Sequence, residues 1–321
     1  MTRPARPAPL RCQSGAALLM AMLTVTLVAS LAAAGLWQQW RAAETEKAER
    51  SRTQSAWLLV GALDWARLIL REDARSGGAD HLAEPWAVPL EEARLSTFLS
   101  ADQQVTDDQR DAFLSGSIVD LQGRLNVGNL IEGKEISATG VRTFEKFFEH
   151  LGLPVGQVRV MAEALHRAAI GTTGADGKPP AGVPLMPSRV DDLLWLGVSA
   201  QNLERLRPYI SLLPERTPLN INTASAAAIH ATVPWLDMAQ AQRLVTERQR
   251  NAFRSLAEAA RIVPGLDAVD SALIGVSTRY FEVRGRLRLD DLIVEERSLV
   301  QRDGLTVRTR WRERVPVAPA T

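Results

Sequence analysis

The chain has 321 residues, of which 46 % are hydrophobic and 23 % charged, a globular composition long enough for about two domains. Lys and Arg number 38 against 37 Asp and Glu, a net charge of +1, which excludes bulk electrostatic attraction to nucleic acid. One cysteine, Cys12, and four scattered histidines exclude a disulfide scaffold and a Cys-based zinc site.

From Cys12 to Trp40 no residue is charged, and Ala16 to Trp37 is almost wholly apolar. At about 1.5 Å rise per residue this run spans roughly 33 Å, enough to cross a hydrocarbon core of about 30 Å. Arg3, Arg6 and Arg11 precede it, and the first acidic residue is Glu44. The positive-inside bias therefore predicts a single-pass span with a cytoplasmic N-terminus and the remainder carried across the membrane. A rival reading is a secretory signal, with Leu31-Ala32-Ala33-Ala34 as the small-residue cleavage site and Gly35 as the new start. The helical pattern, however, runs on past that site. Gln38 to Leu70 holds no proline and one glycine, Gly61, and Trp57, Leu58, Val60, Leu63, Trp65, Leu68 and Ile69 recur at helical spacing. One helix of about 50 residues is expected, ended by Ser76-Gly77-Gly78.

Residues 76–115 read as mixed, with a helix over Gln104–Leu114. Ser117–Val127 reads as a hairpin turning at Leu121-Gln122-Gly123-Arg124, where Gly123 would supply a positive φ. Helices are predicted at Thr143–Leu151, Gly156–Ile170, Val190–Leu194, Gln201–Arg207, Ser225–Thr232, Met238–Asn251 and Leu256–Ile262. From Ser277 the period falls to two. Arg279, Phe281 and Val283 oppose Tyr280, Glu282 and Arg284, and strands continue through Leu292–Glu296 and Leu305–Trp311.

Chemistry-bearing motifs are thin. Gly177-Lys178 is followed by Pro179-Pro180, which cannot form the turn of a phosphate-binding loop. No G-x-S-x-G is present, and Glu91-Glu92, Asp107-Asp108, Asp191-Asp192 and Asp290-Asp291 are adjacent pairs whose side chains diverge. His150 and His166 fall on helices in structural or exposed roles. No catalysis is expected.

The stretch Leu219 to Leu266 looks like paired helix-hairpin-helix elements, as in competence-type DNA receptors, and gives the alternative reading of a membrane-anchored DNA-uptake receptor. In such hairpins glycines let backbone N–H groups approach phosphates. Here Trp235 and Leu236 occupy those places, Asp237 adds negative charge and caps the helix that follows, and no lysine lies between 179 and 321. Packing is the better role for these hairpins, with Thr223 or Ser225 capping the helix after Asn222.

A helix half in lipid and half on a soluble body resembles the plan of type IV pilin-like subunits. Ser14-Gly15-Ala16-Ala17-Leu18-Leu19-Met20 resembles a prepilin-peptidase site, which implies cleavage after Gly15 and methylation of Ala16. Cleavage would remove Cys12 and three arginines and leave the mature chain slightly acidic. Most pilin-like subunits carry a glutamate at the fifth mature position; this chain has Met20 there. With Gly116–Leu130, Pro218–Ser225 and the C-terminal strands, the chain resembles the general secretion pathway protein K family of type II secretion minor pseudopilins.

The resemblance implies an α/β (α+β) pilin-like fold. A long N-terminal helix packs on an antiparallel sheet, and a large all-α domain is inserted between sheet strands. Its divisions would be a leader (1–15), a transmembrane half-helix (16–40), a periplasmic half-helix (41–75), a pilin-like α/β domain (76–130 and 276–321) and the insert with its helix-hairpin-helix-like elements (131–275). It implies the inner membrane, minor pseudopilins I and J in a tip complex, and a prepilin peptidase as partners; nucleic acid is not expected, on the residues of the hairpin region. No cofactor is required. Calcium is a candidate by the same resemblance, with Asp120, Glu258, Asp267 and Asp270 as ligands if the fold gathers them.

Overall fold

Helix α1 runs unbroken from Ser14 to Ser76, 63 residues, longer than the predicted 50. It stops where Gly77 turns to a φ of +66°, as the Ser-Gly-Gly signal predicts. The computed structural model describes residues 14–95, 112–171, 183–289 and 292–316. The basic leader with Cys12, positions 104–111 of the expected Gln104–Leu114 helix, Asp107-Asp108, the loop around Gly177-Lys178, and Asp290-Asp291 lie outside them.

The chain divides into two compact units, 1–57 and 58–321. In the first, the described residues are the early turns of α1, exposed from Gly15 to Arg50. In the second, five strands form one antiparallel sheet in the order β1-β2-β9-β10-β11. They are β1 (Leu90–Arg94), β2 (Ala112–Asp120), β9 (Tyr280–Leu289), β10 (Leu292–Asp303) and β11 (Thr306–Val315).

Leu63, Ala66 and Leu70 of α1 pack on one face of this sheet, against Phe281, Val283, Val300, Val307 and Trp86. The Trp86 and Phe281 rings meet edge-on at 5.2 Å, a geometry worth about 0.5–1.5 kcal/mol beyond area burial. Tyr280 and Leu299 face the other way, onto Leu121 and Leu213. The two-residue period of β9 is therefore real, but Tyr280 through Val283 are all buried because both faces are covered.

β2 and β9 are neighbours in the sheet, yet everything from Leu121 to Arg279 lies between them in sequence. That insert is mainly helical, with α2 (Ala138–His150), α3 (Gly156–Gly171), a 3₁₀ segment (Val190–Leu196), α4 (Ala200–Leu206), α5 (Ala226–Thr232), α6 (Met238–Arg250) and α7 (Leu256–Ala260). Ser137, Ser199, Ser225, Asp237 and Ser255 each accept a backbone N–H as N-caps. Phe144, Phe147 and Phe148 of α2 meet Met161 and Leu165 of α3, together with Ile229, Leu244, Val263 and Leu266, in one apolar cluster.

The all-α description needs amendment, since short strands punctuate the insert. β3 (Leu125–Asn126) pairs in parallel with β6 (Ile210–Ser211), β7 (Leu219–Asn220) in parallel with β8 (Ile274–Gly275), and β4 (Ile131–Glu132) antiparallel with β5 (Glu135–Ile136).

Two further expectations fail. Ser117–Val127 is not a hairpin, because β2 pairs with β1 and β9 and the chain then leaves the sheet. Gly123 does not take a positive φ; it is needed for close approach, since a Cβ there would fall 2.7 Å from Thr223 Oγ1. Ala112–Leu114, the end of the expected helix, is strand.

Gly116 sits opposite Gly285 in the β2–β9 ladder, and a Cβ on it would lie 2.7 Å from the Arg284 carbonyl oxygen. Backbone cannot yield there as a side-chain tip can. Gly116→Ala is expected to lower stability by about 1–3 kcal/mol in denaturant titration of the detergent-solubilised chain. A loss below about 0.5 kcal/mol would show that the two strands are not held at this spacing.

Candidate functional site

In the first unit, Gly15, Ala16 and Met20 lie on helical backbone with no charge between Ala16 and Trp40. Met20 is 67 % exposed, as are its apolar neighbours Leu18, Leu19 and Leu23 to similar degrees. Backbone polar groups are satisfied within the helix, so this stretch can lie in hydrocarbon. It is long and apolar enough to cross a membrane and fits a single-pass anchor.

In the second unit, the two motif stretches 116–130 and 218–225 meet. β2 ends at Asp120, which is 4 % exposed. Its Oδ1 accepts from the Gln122 amide at 2.7 Å, and its Oδ2 accepts from Asn220 Nδ2 at 3.0 Å and Thr223 Oγ1 at 2.5 Å. Asn220 also donates to the Asp80 carbonyl at 3.1 Å and accepts from the Asn222 amide at 3.0 Å. Asn222 holds Phe253 at both backbone groups, donating to its carbonyl at 2.8 Å and accepting from its amide at 3.0 Å.

On the other side Gln122 accepts from the Asn220 and Arg279 amides, and Asn126 accepts from the Leu213 amide while donating to the Glu215 carbonyl. These side chains fasten the insert where it leaves and rejoins the sheet. Thr223 thus binds Asp120 instead of capping; Ser225 is the cap. Burial pushes the Asp120 carboxyl above the ordinary value of 3.8, and its hydrogen bonds do not offset this.

Asp80 stands beside this joint. Its carboxylate accepts from the Thr278 amide at 2.7 Å, and Arg302 bonds to both Asp80 and Asp73. Glu84 accepts from the His81 amide and from Trp86 Nε1. Among the described residues, Asp73, Asp80 and Glu84 are the group whose ligand atoms lie within 4.8 Å of one another, and the Arg302 guanidinium already bridges two of them.

The four carboxylates named as calcium candidates are not gathered. Asp120 is engaged as above. Glu258 accepts from the Arg254 amide at the start of α7, Asp270 accepts from the Ala272 amide, and Asp267 is exposed in the turn at Leu266–Ala268. Glu258 and Asp270 thus serve local backbone and Asp267 faces solvent, while Asp120 belongs to the joint.

The hairpin regions are likewise spent on packing. Lys146 Nζ donates to the carbonyls of Val233, Pro234 and Leu236, so the first hairpin turns acceptors toward a cation. Asp237 takes the Gln240 amide, and the Trp235 ring lies beside Gly265 of the second hairpin. No N–H cradle of the phosphate-binding kind is built there.

Residues 219–277, which hold Asn220, Asn222, Thr223 and both hairpins, match the family model described as type II secretion system protein K. Along nearly the whole chain the sequence is 29 % identical to the type II secretion system protein K of Pseudomonas aeruginosa, covering 88 % of this chain and 86 % of that one. It is 26 % identical to that of Pectobacterium carotovorum subsp. carotovorum, covering 94 % and 96 %. Along most of its length the chain is thus similar to type II secretion system protein K. Its fold matches a chain of the GspK-GspI-GspJ complex from enterotoxigenic Escherichia coli with a TM-score of 0.64 and 18 % identity, over 84 % of this chain and 99 % of that one. The α+β architecture, with its long N-terminal helix and antiparallel sheet, is the one expected, and the fold is shared with that chain.

Because the folded-state value of Asp120 is raised, the native state binds the proton more tightly than the unfolded chain. The contribution of this group is full below its ordinary value of 3.8 and is lost as pH rises through the folded-state value. In Asp120→Asn the amide NH₂ faces a donor whichever way it turns, which costs about 1–3 kcal/mol. Denaturant midpoints are expected to be lower in the variant, and its stability relative to wild type should recover as pH rises out of the acid range. A variant as stable as wild type at all pH values would contradict the joint.

Proposed function

We propose that the chain is a minor pseudopilin, a non-enzymatic subunit at the tip of a periplasmic pseudopilus that helps export folded proteins across the outer membrane. One observation carries this reading. A single helix, apolar over its first turns and continuous to Ser76, belongs to a chain whose sheet is interrupted between neighbouring strands by a bulky helical insert. Similarity to protein K along most of the sequence supports it.

A prepilin peptidase cuts between Gly15 and Ala16, and the new amino terminus is methylated. The N-terminus faces the cytoplasm and the body the periplasm, as Arg3, Arg6 and Arg11 ahead of the span favour. A carboxylate buried in lipid is costly without a partner. Met20 presents none, so this subunit needs no neighbour's amino terminus at that level. A subunit free of that requirement suits the end of a fibre, and the insert would obstruct addition of another subunit above it. Minor pseudopilins I and J are its partners, in keeping with the complex of the solved relative. The role requires no cofactor.

Intact mass and N-terminal sequencing of the chain, coexpressed with a prepilin peptidase and extracted in detergent, test this. A methylated Ala16 start and stable association with partners I and J are expected. A Gly35 start, or salt-sensitive duplex DNA binding without partner binding, would overturn it.

A further inference from the structure

The sheet face opposite α1 carries an arginine cluster that the assembly role does not use. Arg284 of β9 and Arg297 of β10 are direct cross-strand partners, and like charges so placed repel. Arg124, in the chain leaving β2, lines the same cavity of about 340 Å³, closed on the far side by the insert around Arg189 and Arg207.

The carboxylates around this cavity are already engaged. Glu282 binds Arg284 at 2.6 Å, Asp191 binds Arg207 at 2.6 Å, and Glu313 is shared by Arg189 at 2.6 Å and Arg297 at 3.1 Å. The Arg124 guanidinium has no ion pair or hydrogen bond among the described residues. Burial pushes its pKa below the ordinary arginine value; the charges of Glu282 and Asp120 oppose this, and those of Arg284 and Arg297 add to it.

A second observation is independent of charge. The side chains of Arg297 and Trp311 line the cavity, and Arg297 Nε and Trp311 Nε1, shielded within its wall, meet no acceptor. Buried donors left unpaired are rare and cost about 1–3 kcal/mol each. Two unpaired donors in the wall and a guanidinium without a hydrogen bond, on a cavity lined by five arginines against three carboxylates, describe the complement of an oxyanion.

We infer that this cavity is an oxyanion-binding site, in which a carboxylate or phosphate is held by Arg124, Arg297 and Trp311 between the sheet and the inserted helical body. The ligand bridges the two parts and relieves the repulsion among the arginines. Its source is either a free anion or a carboxylate-bearing molecule, since both offer the same acceptors.

Calorimetric titration of the full chain in detergent with inorganic phosphate, succinate and chloride separates these cases. Saturable binding of phosphate or succinate, but not chloride, is expected. Arg124→Met and Trp311→Phe should each weaken it about tenfold or more, and Arg124→Lys less. Phosphate alone binding assigns a free inorganic anion; succinate binding assigns a carboxylate. Without added anion, Arg124→Met is expected to melt no lower than wild type, because it removes a buried, unpaired charge; a lower melting temperature would make Arg124 a structural residue and count against the site. Failure of both anions to bind, or binding untouched by both the Arg124→Met and Trp311→Phe changes, overturns the inference.

Discussion

A carboxylate buried at the point where the chain leaves the sheet sets the organisation of the folded body. Asp120 ends β2, and its lone pairs are taken by Gln122, Asn220 and Thr223. One of those partners follows it at once; the other two lie about a hundred residues on. Away from water such a group is costly unless its donors are in place. The insert must therefore return to one position for β9 to pair beside β2. Asn220, Asn222 and Gln122 extend the same logic, each bonding backbone from a different segment.

This constraint explains why the matched segment 219–277 carries an Asn-x-Asn-Thr run and not merely a helix cap. It also gives the close glycines a purpose. Gly123 admits Thr223, and Gly140 admits the Asn129 carbonyl, where a Cβ would fall 2.2 Å away. Arg302 adds a second tie by joining Asp73 of α1 to Asp80 beside the joint, its guanidinium 5.0 Å from the Phe281 ring centre. Sheet, later turns of α1 and insert converge on a few buried polar residues.

Local patterns were legible in the sequence where the deciding forces are local. The end of α1 at Ser76-Gly77-Gly78, the Asp237 cap, the helices from 138 to 260 and the long strands after Tyr280 all follow from spacing and capping chemistry. What failed is long-range. Leu121 to Arg124 has the composition of a turn, yet the chain goes on to pair Leu125 with Ile210. Leu90–Arg94 lacks strand residues because it is a sheet edge, where the charged pair Glu92–Arg288 suits an exposed border. The carboxylates considered for calcium were chosen by residue type, whereas each finds a nearby backbone amide or solvent. Nothing in a single sequence says that Thr223 will bind Asp120, since only the fold brings them together.

A double-mutant cycle on Asp120→Ala and Thr223→Val, read as unfolding free energy of the full chain in detergent, reaches this claim most directly. If the joint holds the insert to the sheet, the two losses overlap, with a coupling of about 1 kcal/mol or more, the size of a hydrogen bond to a charged or buried group. Losses that add within about 0.3–0.5 kcal/mol would mean that the residues act separately, and that the insert is held by apolar packing alone.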